Sequence, residues 1–243
     1  MQPSEVAAIP FLTAQWRDLL MLNYPVEASL LAPLVPAGTE LDLWRGQSLV
    51  SVVGFRFVDT RVLGLACPGH RDFEEVNLRF YVRRHSPGCT RRAVVFIREL
   101  VPRRAIAWVA RAWYNEPYRA LPMRHSCERT PERQLLRYEW RVDGVWSGLS
   151  AFTEGSARPL VRQSEAEFIT EHYWGYTRQR DAGTVEYQVA HPPWNVWEAR
   201  EATLHGDLRA TYGPAFADVL SSKPSSAFVA DGSEIAVYRP RRR

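Results

Sequence analysis

The hydrophobic and polar positions of this chain repeat mostly with a period of two, which is typical of β-strands. Residues 73–83 alternate cleanly, whereas residues 93–97 form a continuous apolar run of the kind found in strands buried on both faces. Asp143-Gly144 lies between two such segments and is a strong signal for a two-residue β-hairpin. The predicted strands are 47–58, 73–83, 93–97, 135–142, 145–152, 176–180, 184–190 and 235–239.

Helical periodicity is rarer along the chain. Residues 27–32 predict a short helix that ends before a proline. Ser164 and Glu167 have the spacing of a capping box, which predicts a helix that runs to about His172.

A further helix is predicted after Pro102, because proline suits the first turn of a helix. Four apolar residues then share one helical face, namely Ile106, Val109, Ala110 and Trp113. Many short strands with few helices favour one β-rich α+β domain over residues 1–243, in which residues 240–243 form a basic tail.

The charge of the chain is concentrated at its end. The formal net charge of the 243 residues is +4, and four arginines lie within the last five positions, which leaves 4 − 4 = 0 for the rest. We therefore expect a disordered basic tail and no nucleic-acid-binding face. No apolar run approaches the 18 or so residues that a membrane-spanning helix needs, so we expect no membrane partner.

The three cysteines, Cys67, Cys89 and Cys127, are an odd number without paired spacing, and no basic segment precedes the first apolar stretch. These features predict reduced thiols and a cytoplasmic protein. The Cys and His pairs straddle loops and lack the tight spacing of a structural zinc site, so we expect neither a metal nor another cofactor. Motifs for nucleotide binding or hydrolysis are absent from the sequence.

Several short motifs are distinctive in combination. They are Trp16, Leu34-Val35-Pro36, the run Glu75-Val76-Asn77-Leu78-Arg79-Phe80-Tyr81-Val82, Ala110-Arg111 with Tyr114 and Pro117-Tyr118, Phe168-Ile169-Thr170-Glu171-His172-Tyr173 with Tyr176, and His191-Pro192-Pro193-Trp194. Together they resemble the YqjF-like bacterial family, domain of unknown function 2071, over about residues 11–240. That family has no established activity.

The family in turn resembles the acetoacetate decarboxylase superfamily. This resemblance implies a mainly β, α+β fold: a closed antiparallel β-barrel or cone with an internal pocket and a few peripheral helices. It also places the pocket glutamate of the superfamily at Glu75, and its paired lysines at Tyr118 and Arg119, neither of which can form an imine. Barrels of this kind often assemble into oligomers, so a homo-oligomer stays open.

The segment 73–83 has two faces. One face carries Glu75, Asn77, Arg79 and Tyr81, and the other carries Val76, Leu78, Phe80 and Val82. Periodicity alone favours a strand with its polar face in water. In a closed barrel, however, the apolar face packs outward and the polar face lines the cavity. Glu75, Asn77, Arg79 and Tyr81 then become candidate ligand-binding residues, with Glu75 as a candidate catalytic acid or base.

Three further candidates follow from the decarboxylase-like segment. Tyr118 offers a phenol where the related enzymes carry an amine, and it is a candidate catalytic residue beside Glu75. Arg111 and Tyr114 are candidate ligand-binding residues. For Arg111 the alternative is a favourable position near a helix C-terminus, and for Tyr114 it is packing.

Three functions remain open from the sequence. The first is a barrel that binds a small anionic or carbonyl-bearing molecule, paired with Arg79 or Arg111, without Schiff-base chemistry. The second is a lyase or hydrolase that acts on a small keto acid through Glu75 and Tyr118. The third is a structural or partner-binding protein, which predicts a barrel plugged by apolar side chains.

Overall fold

Strands form most of the structure, a computed structural model that describes residues 9–66, 68–86, 88–105 and 115–243. The strands are β1 (Leu12–Val26), β2 (Glu40–Leu41), β3 (Ser48–Val62), β4 (Leu65–Ala66), β5 (Phe73–Ser86), β6 (Cys89–Val101), β7 (Tyr118–Ala120), β8 (Met123–Arg129), β9 (Arg133–Val142), β10 (Val145–Glu154), β11 (Arg158–Pro159), β12 (Trp174–Arg178), β13 (Thr184–Ala190), β14 (Asn195–Glu198), β15 (Arg200–His205), β16 (Ser226–Ala230), β17 (Glu234–Val237) and β18 (Arg241–Arg242). The helices are α1 (Ala28–Leu31), α2 (Glu165–Thr170), α3 (Leu208–Tyr212) and α4 (Pro214–Leu220), and a 3₁₀ turn covers Ala32–Leu34.

The larger sheet closes on itself as a barrel. Its ring runs β1–β17–β13–β12–β6–β5–β3 and returns to β1, because β1 pairs with β17 on one edge and with β3 on the other. The pairs in the ring are antiparallel except β6–β12, which is parallel. Closure pairs the strands of the ring on both sides over much of their length. The mainly β barrel expected from the sequence is confirmed.

The eight predicted strands correspond to β3, β5, β6, β9, β10, β12, β13 and β17. The 15-residue strand β1 was not predicted, although it is central to the ring. Its register shifts between Arg17 and Leu20, where Asp18 has a positive φ of 57°, and such a bulge breaks the period of two. The apolar run that follows is buried on both faces, because one face packs against the second sheet and helices α3 and α4 and the other packs inside the barrel.

A second sheet, ordered β15–β10–β9–β8, covers the outside of the barrel. Its Tyr138 and Trp140 pack in one hydrophobic cluster with Val76, Leu78 and other outward residues of the barrel. Gly54 of β3 allows this approach, since a Cβ there would lie 2.6 Å from the Tyr138 ring. The apolar face of β5 therefore packs outward, and its polar face is turned into the barrel.

Helix α2 begins as the capping box predicts, with the Ser164 hydroxyl accepting a hydrogen bond from the Glu167 N–H at 3.1 Å. The Glu167 carboxylate, however, accepts from the N–H of Gln163 and not of Ser164. The helix ends at Thr170, before the predicted His172. Residues 106–113 of the helix predicted after Pro102 lie outside the described residues. Helices α3 and α4 were not predicted.

The basic tail is ordered, which corrects the expectation of disorder. Arg241 and Arg242 form β18 and pair with β13, while the side chain of Arg243 contacts Glu186. Arg242 also forms an ion pair with Asp181. Acidic partners and the part of the β13 edge that β17 leaves uncovered thus order the tail, although its composition alone predicts disorder. Among the described residues, no helix has the length and apolar composition needed to cross a membrane.

Candidate functional site

The barrel encloses a cavity of about 450 Å³. Strands β1, β3, β5, β6 and β13 supply most of its wall, together with β7 and the segments that follow α2 and β13. Apolar side chains dominate the wall, and the polar groups are concentrated on β5 and its neighbours. These polar groups include Glu75, Asn77, Arg79, Glu99, Glu116, Tyr118, Thr170 and His172. The open interior disfavours the third hypothesis, which requires a barrel plugged by apolar side chains.

Three of the four polar residues of the β5 row reach the cavity. Glu75, Asn77 and Arg79 line its wall, and each is at least nine-tenths buried. Tyr81 lies on the same face but beyond the cavity, where its hydroxyl is 2.6 Å from the Ser51 hydroxyl. Tyr81 therefore belongs to the core around α2 and is not among the described residues that line the cavity, contrary to the expectation that it is a ligand-binding residue.

Glu75 and Tyr118 are brought together as a hydrogen-bonded pair. The Tyr118 hydroxyl donates to Glu75 Oε2 at 3.0 Å, and the Asn77 amide donates to Glu75 Oε1 at 3.2 Å. Burial raises the pKa of Glu75 to about 7, although both hydrogen bonds and the charge of Arg79 act to lower it. A carboxyl with this pKa exchanges a proton readily near neutral pH.

Glu99 of β6 lies beside this pair and was not predicted from the sequence. It is directly opposite Asn77 in the β5–β6 register and next to Tyr118 in the β6–β7 register. Burial, followed by the charges of Glu116 and Glu75, raises the pKa of Glu99 well above its usual range. Burial and the neighbouring charges therefore favour the protonated form of Glu99, against the hydrogen bond with Tyr118, and the protonated form can donate a hydrogen bond.

A β-bulge explains why strand periodicity missed Glu99. The β5–β6 register shifts between Leu78, which pairs with Arg98, and Arg79, which pairs with Phe96. Phe96 and Glu99 consequently both line the cavity, although they are three residues apart. Strict alternation would have placed Glu99 on the outer face.

Glu116 is a third buried acid on the cavity wall, from the loop before β7. It accepts hydrogen bonds from the hydroxyls of Thr177, at 2.5 Å, and Tyr187, at 2.9 Å. Burial raises its pKa to about 7, and the charge of Glu75 adds to the shift while the two hydrogen bonds oppose it. Gly175 is needed here, because a Cβ would lie 2.2 Å from the Tyr187 ring.

Arg79 is the cation of the cavity wall. Its Nη2 donates to the backbone carbonyl of Ile169 at 3.3 Å, at the C-terminal end of α2, and its guanidinium lies 5.7 Å from the centre of the Tyr81 ring. None of its described contacts is an ion pair with a carboxylate. Its buried Nε has no hydrogen-bond partner among the described residues, so the charge is available to an anion.

His172 closes the polar end of the cavity. Its Nε2 is 3.2 Å from Asp42 Oδ2, and that carboxylate also forms an ion pair with Arg92 at 2.7 Å. Burial, with the charges of Arg92 and Arg79, lowers the pKa of His172 to about 4, against the opposing effect of Asp42. The ring is therefore neutral at physiological pH. From the sequence alone, His172 could not be distinguished from a histidine that only interacts with the C-terminus of a helix.

The remaining predicted residues do not join this group. Arg119 points away from the cavity, and its Nη1 donates to the carbonyl of Ala210 at 3.0 Å. Arg111 and Tyr114 lie outside the described residues. Lys223 is exposed in the loop between α4 and β16. Within the described ranges, no group of His, Cys, Asp or Glu side chains has the arrangement of a metal site.

The closed barrel places this protein among the proteins with an acetoacetate decarboxylase-like fold. It has the same fold as the acetoacetate decarboxylase of Legionella pneumophila, with a TM-score of 0.67 and 14% sequence identity, covering 100% of this chain and 93% of that one. The enduracididine biosynthesis enzyme MppR in complex with pyruvate is similar as well, with a TM-score of 0.64, 13% identity and coverage of 99% and 93%.

The profile of DUF2071, described as an uncharacterised conserved protein, matches residues 13–234, and the chain belongs to this family. It is 29% identical over 192 residues to the uncharacterised protein YqjF of Bacillus subtilis (strain 168), covering 76% of this chain and 74% of that protein. The family resemblance inferred from the sequence is confirmed, and so is the fold that the resemblance to the acetoacetate decarboxylase superfamily implies.

Proposed function

We propose that this protein binds a carboxylate- or carbonyl-bearing metabolite inside its barrel. The observation that carries the proposal is the cluster of Glu75, Asn77, Arg79, Glu99 and Tyr118 on the wall of a cavity of about 450 Å³. The guanidinium of Arg79 and a protonated Glu99 donate hydrogen bonds, which suits carbonyl and carboxylate oxygens, while the phenol of Tyr118 donates to Glu75. That a protein of the same fold binds pyruvate supports the same class of ligand.

Unpaired atoms on the wall support this proposal. The Oδ1 of Asn77, the Nε of Arg79 and the Oε2 of Glu99 are buried without a hydrogen-bond partner among the described residues. Buried polar atoms normally have partners, because an unmet hydrogen bond costs about 1–3 kcal/mol. A carboxylate or carbonyl oxygen of the ligand can accept from the Nε of Arg79 and from a protonated Glu99, and a ligand hydroxyl can donate to the Oδ1 of Asn77.

The test is calorimetric titration of monocarboxylates against their uncharged methyl esters. We expect the acids to bind at least about tenfold more tightly than the esters, because a charge-assisted hydrogen bond contributes about 1.5–3 kcal/mol. Arg79→Gln should remove this difference. Arg83→Gln is the matched control, since Arg83 lies on the same strand with an exposed side chain that pairs with Glu40. Equal affinity for acids and esters would exclude a carboxylate paired with Arg79, and binding of neither would contradict the proposal.

We infer that the ligand is not held as an imine. Imine formation needs a neutral amine inside the pocket. The chain has a single lysine, Lys223, and this residue is exposed in a loop. Arg119 offers a guanidinium and Tyr118 a phenol, and neither condenses with a carbonyl group to an imine. A cytoplasmic location is part of the same proposal, and the odd number of cysteines supports it.

A second candidate function is catalysis on a small keto acid. The pKa of Glu75, about 7, and its hydrogen bond with Tyr118 favour this candidate, because they suit proton transfer near neutral pH. Turnover of 2-oxo acids, followed by NMR, should fall at least about 100-fold in Glu75→Gln. Glu74→Gln is the control, since Glu74 faces His125 outside the cavity. Unchanged turnover in Glu75→Gln would exclude this role.

A further inference from the structure

Much of the cavity wall lies beyond the reach of a small acid bound at the polar cluster. Five apolar side chains that line the cavity pack around one hydrophobic cluster: Phe11, Leu12, Trp16, Val62 and Val237. We call this group the distal cluster. Its members come from β1, β3 and β17 and the residue before β1, so the apolar wall is a continuous part of the barrel.

An aromatic row links the distal cluster to the polar wall. Trp16 pairs with Phe57 across β1 and β3, and Phe57 pairs with Phe73 across β3 and β5. The ring centres are 5.9 Å and 4.7 Å apart. Phe73 precedes Glu75 by two residues, whereas Arg79 lies six residues from Phe73, about 20 Å of extended strand. The cavity is therefore long, with an apolar part and a polar part.

The volume of the cavity exceeds what a small keto acid fills. At about 30 Å³ for each water molecule, 450 Å³ corresponds to about 15 water molecules. Pockets of roughly 300–1,000 Å³ typically hold ligands much larger than pyruvate. A ligand confined to the polar wall would leave the apolar wall uncovered and forgo the free energy of burying it.

Two polar atoms interrupt the apolar wall. The Nε1 of Trp16 and the Oγ1 of Thr60 are buried without a hydrogen-bond partner among the described residues, and both residues line the cavity. Each can donate one hydrogen bond. The rest of this wall is apolar, so it favours a ligand body that is mainly alkyl or aryl.

We propose that the ligand of this cavity is amphipathic. Its carboxylate or carbonyl head meets Glu75, Asn77 and Arg79, and an alkyl or aryl body lies against the distal cluster. This inference rests on the proposed function and narrows its ligand class from carboxylate- or carbonyl-bearing metabolites to 2-oxo acids or related carboxylates with a medium-length or aromatic side chain.

The test is a calorimetric series on the wild-type protein with pyruvate, 2-oxohexanoate, 2-oxooctanoate and phenylpyruvate. We expect affinity to rise about threefold to fourfold for each added methylene group, because burial of a methylene contributes about 0.8 kcal/mol. Phenylpyruvate should bind at least about 30-fold more tightly than pyruvate. Octan-2-one, which lacks the carboxylate, should bind less tightly than 2-oxooctanoate.

A variant that fills the apolar part of the cavity tests whether the gain in affinity with chain length arises at the distal cluster. Val237→Trp places an indole in the distal cluster, so it should bind pyruvate as the wild type does and lose the gain with chain length. Val145→Trp is the matched control, because Val145 is 49% exposed beside the β9–β10 hairpin and should leave the series unchanged. Circular dichroism verifies the fold of both variants, and the wild-type series stands if Val237→Trp does not fold.

Each outcome decides between the two proposals. If pyruvate binds as tightly as 2-oxooctanoate, or if Val237→Trp keeps the full gain with chain length, the amphipathic ligand is excluded and the proposed function stands. If octan-2-one equals 2-oxooctanoate while affinity still rises with length, the head-group assignment fails and the apolar-body assignment stands. If no member of the series binds, both proposals are wrong.

Discussion

Glu75 and Glu186 are buried to the same extent, with 2% and 1% of the residue exposed, yet their environments are opposite. Glu186 of β13 forms ion pairs with Arg84, Arg91 and Arg243. Burial acts to raise its pKa, but the hydrogen bond from Arg243 and the charges of Arg91 and Arg243 outweigh it and lower the pKa. Glu75 has no ion-pair partner among the described residues, and burial raises its pKa to about 7.

The difference shows two ways in which a fold accommodates a buried carboxyl. A cation can stabilise the charged form, or a proton can neutralise it. The first arrangement ties the chain terminus to the barrel and leaves little chemistry to perform. The second keeps Glu75 poised between its two protonation states on the wall of a cavity, which is the environment of binding and catalytic acids.

The largest expected effect separates the two acids by stability. Glu186→Gln should lower the free energy of unfolding by about 2–4 kcal/mol, because it leaves three guanidinium groups without their shared carboxylate. Glu75→Gln should change it by less than about 1 kcal/mol at pH 7, since the glutamine replaces a group that is already partly neutral. Urea unfolding at pH 7 measures both values. If Glu75→Gln lowers the free energy of unfolding as much as Glu186→Gln does, the proposed difference between the two buried acids is wrong.

The next effect is the pH dependence of stability. Glu116 keeps its proton in the folded state up to about pH 7 but loses it near pH 4.5 in the unfolded chain. The folded state therefore binds more protons between these values, and its stability falls as the pH rises through this window. The free energy of unfolding of the wild type, minus that of Glu116→Gln, should therefore fall by about 2–3 kcal/mol from pH 4.5 to 8.

Urea unfolding across this pH range gives the measurement. His172, whose pKa is lowered to about 4, contributes with the opposite sign up to about pH 6.5, but it is present in both proteins and cancels. For Glu186, whose pKa is lowered, the contribution instead disappears as the pH falls below about 4.5. A pH-independent difference between wild type and Glu116→Gln would show that Glu116 titrates normally.

A smaller effect concerns the support of Arg79. Ser164→Ala removes the cap of α2 and should lower the free energy of unfolding by about 1 kcal/mol. Because α2 carries the Ile169 carbonyl that accepts from Arg79, the affinity for monocarboxylates should also weaken by a few fold. Asp207→Ala, which removes the cap of α3, is the control. It should cost similar stability without changing affinity, and an equal loss of affinity in both variants would contradict this role.

The last prediction is that a test for an imine intermediate gives no change in mass. Borohydride reduction in the presence of acetoacetate or pyruvate should leave the intact mass unchanged, because the single lysine is exposed in a loop and does not line the cavity, where an imine would have to form. Lys223→Arg controls for any adduct at that side chain. A wild-type adduct that maps to Lys223 and accompanies release of carbon dioxide would restore the decarboxylase interpretation.

Local pattern was sufficient wherever neighbours in the sequence decide the structure. The alternation of β5, the Asp143-Gly144 hairpin and the Ser164 cap all follow from backbone geometry within a few residues. The motifs around Glu75 and Tyr118 were enough to identify the family and the barrel. The prediction that Glu75 and Arg79 share a pocket role stays a prediction, although both line one cavity.

Tertiary structure decided what depends on distant partners. Strand β1 is specified by pairing with β3 and β17, and the tail is specified by the edge of β13 and by Glu186. The bulge in β6 turns Glu99 into the cavity through cross-strand hydrogen bonding, which no local pattern reveals. The sequence by itself determined that a row of polar residues alternates along one strand. Closure of the barrel decided that this row is buried, and burial is what raises the pKa of Glu75 and makes the row a site.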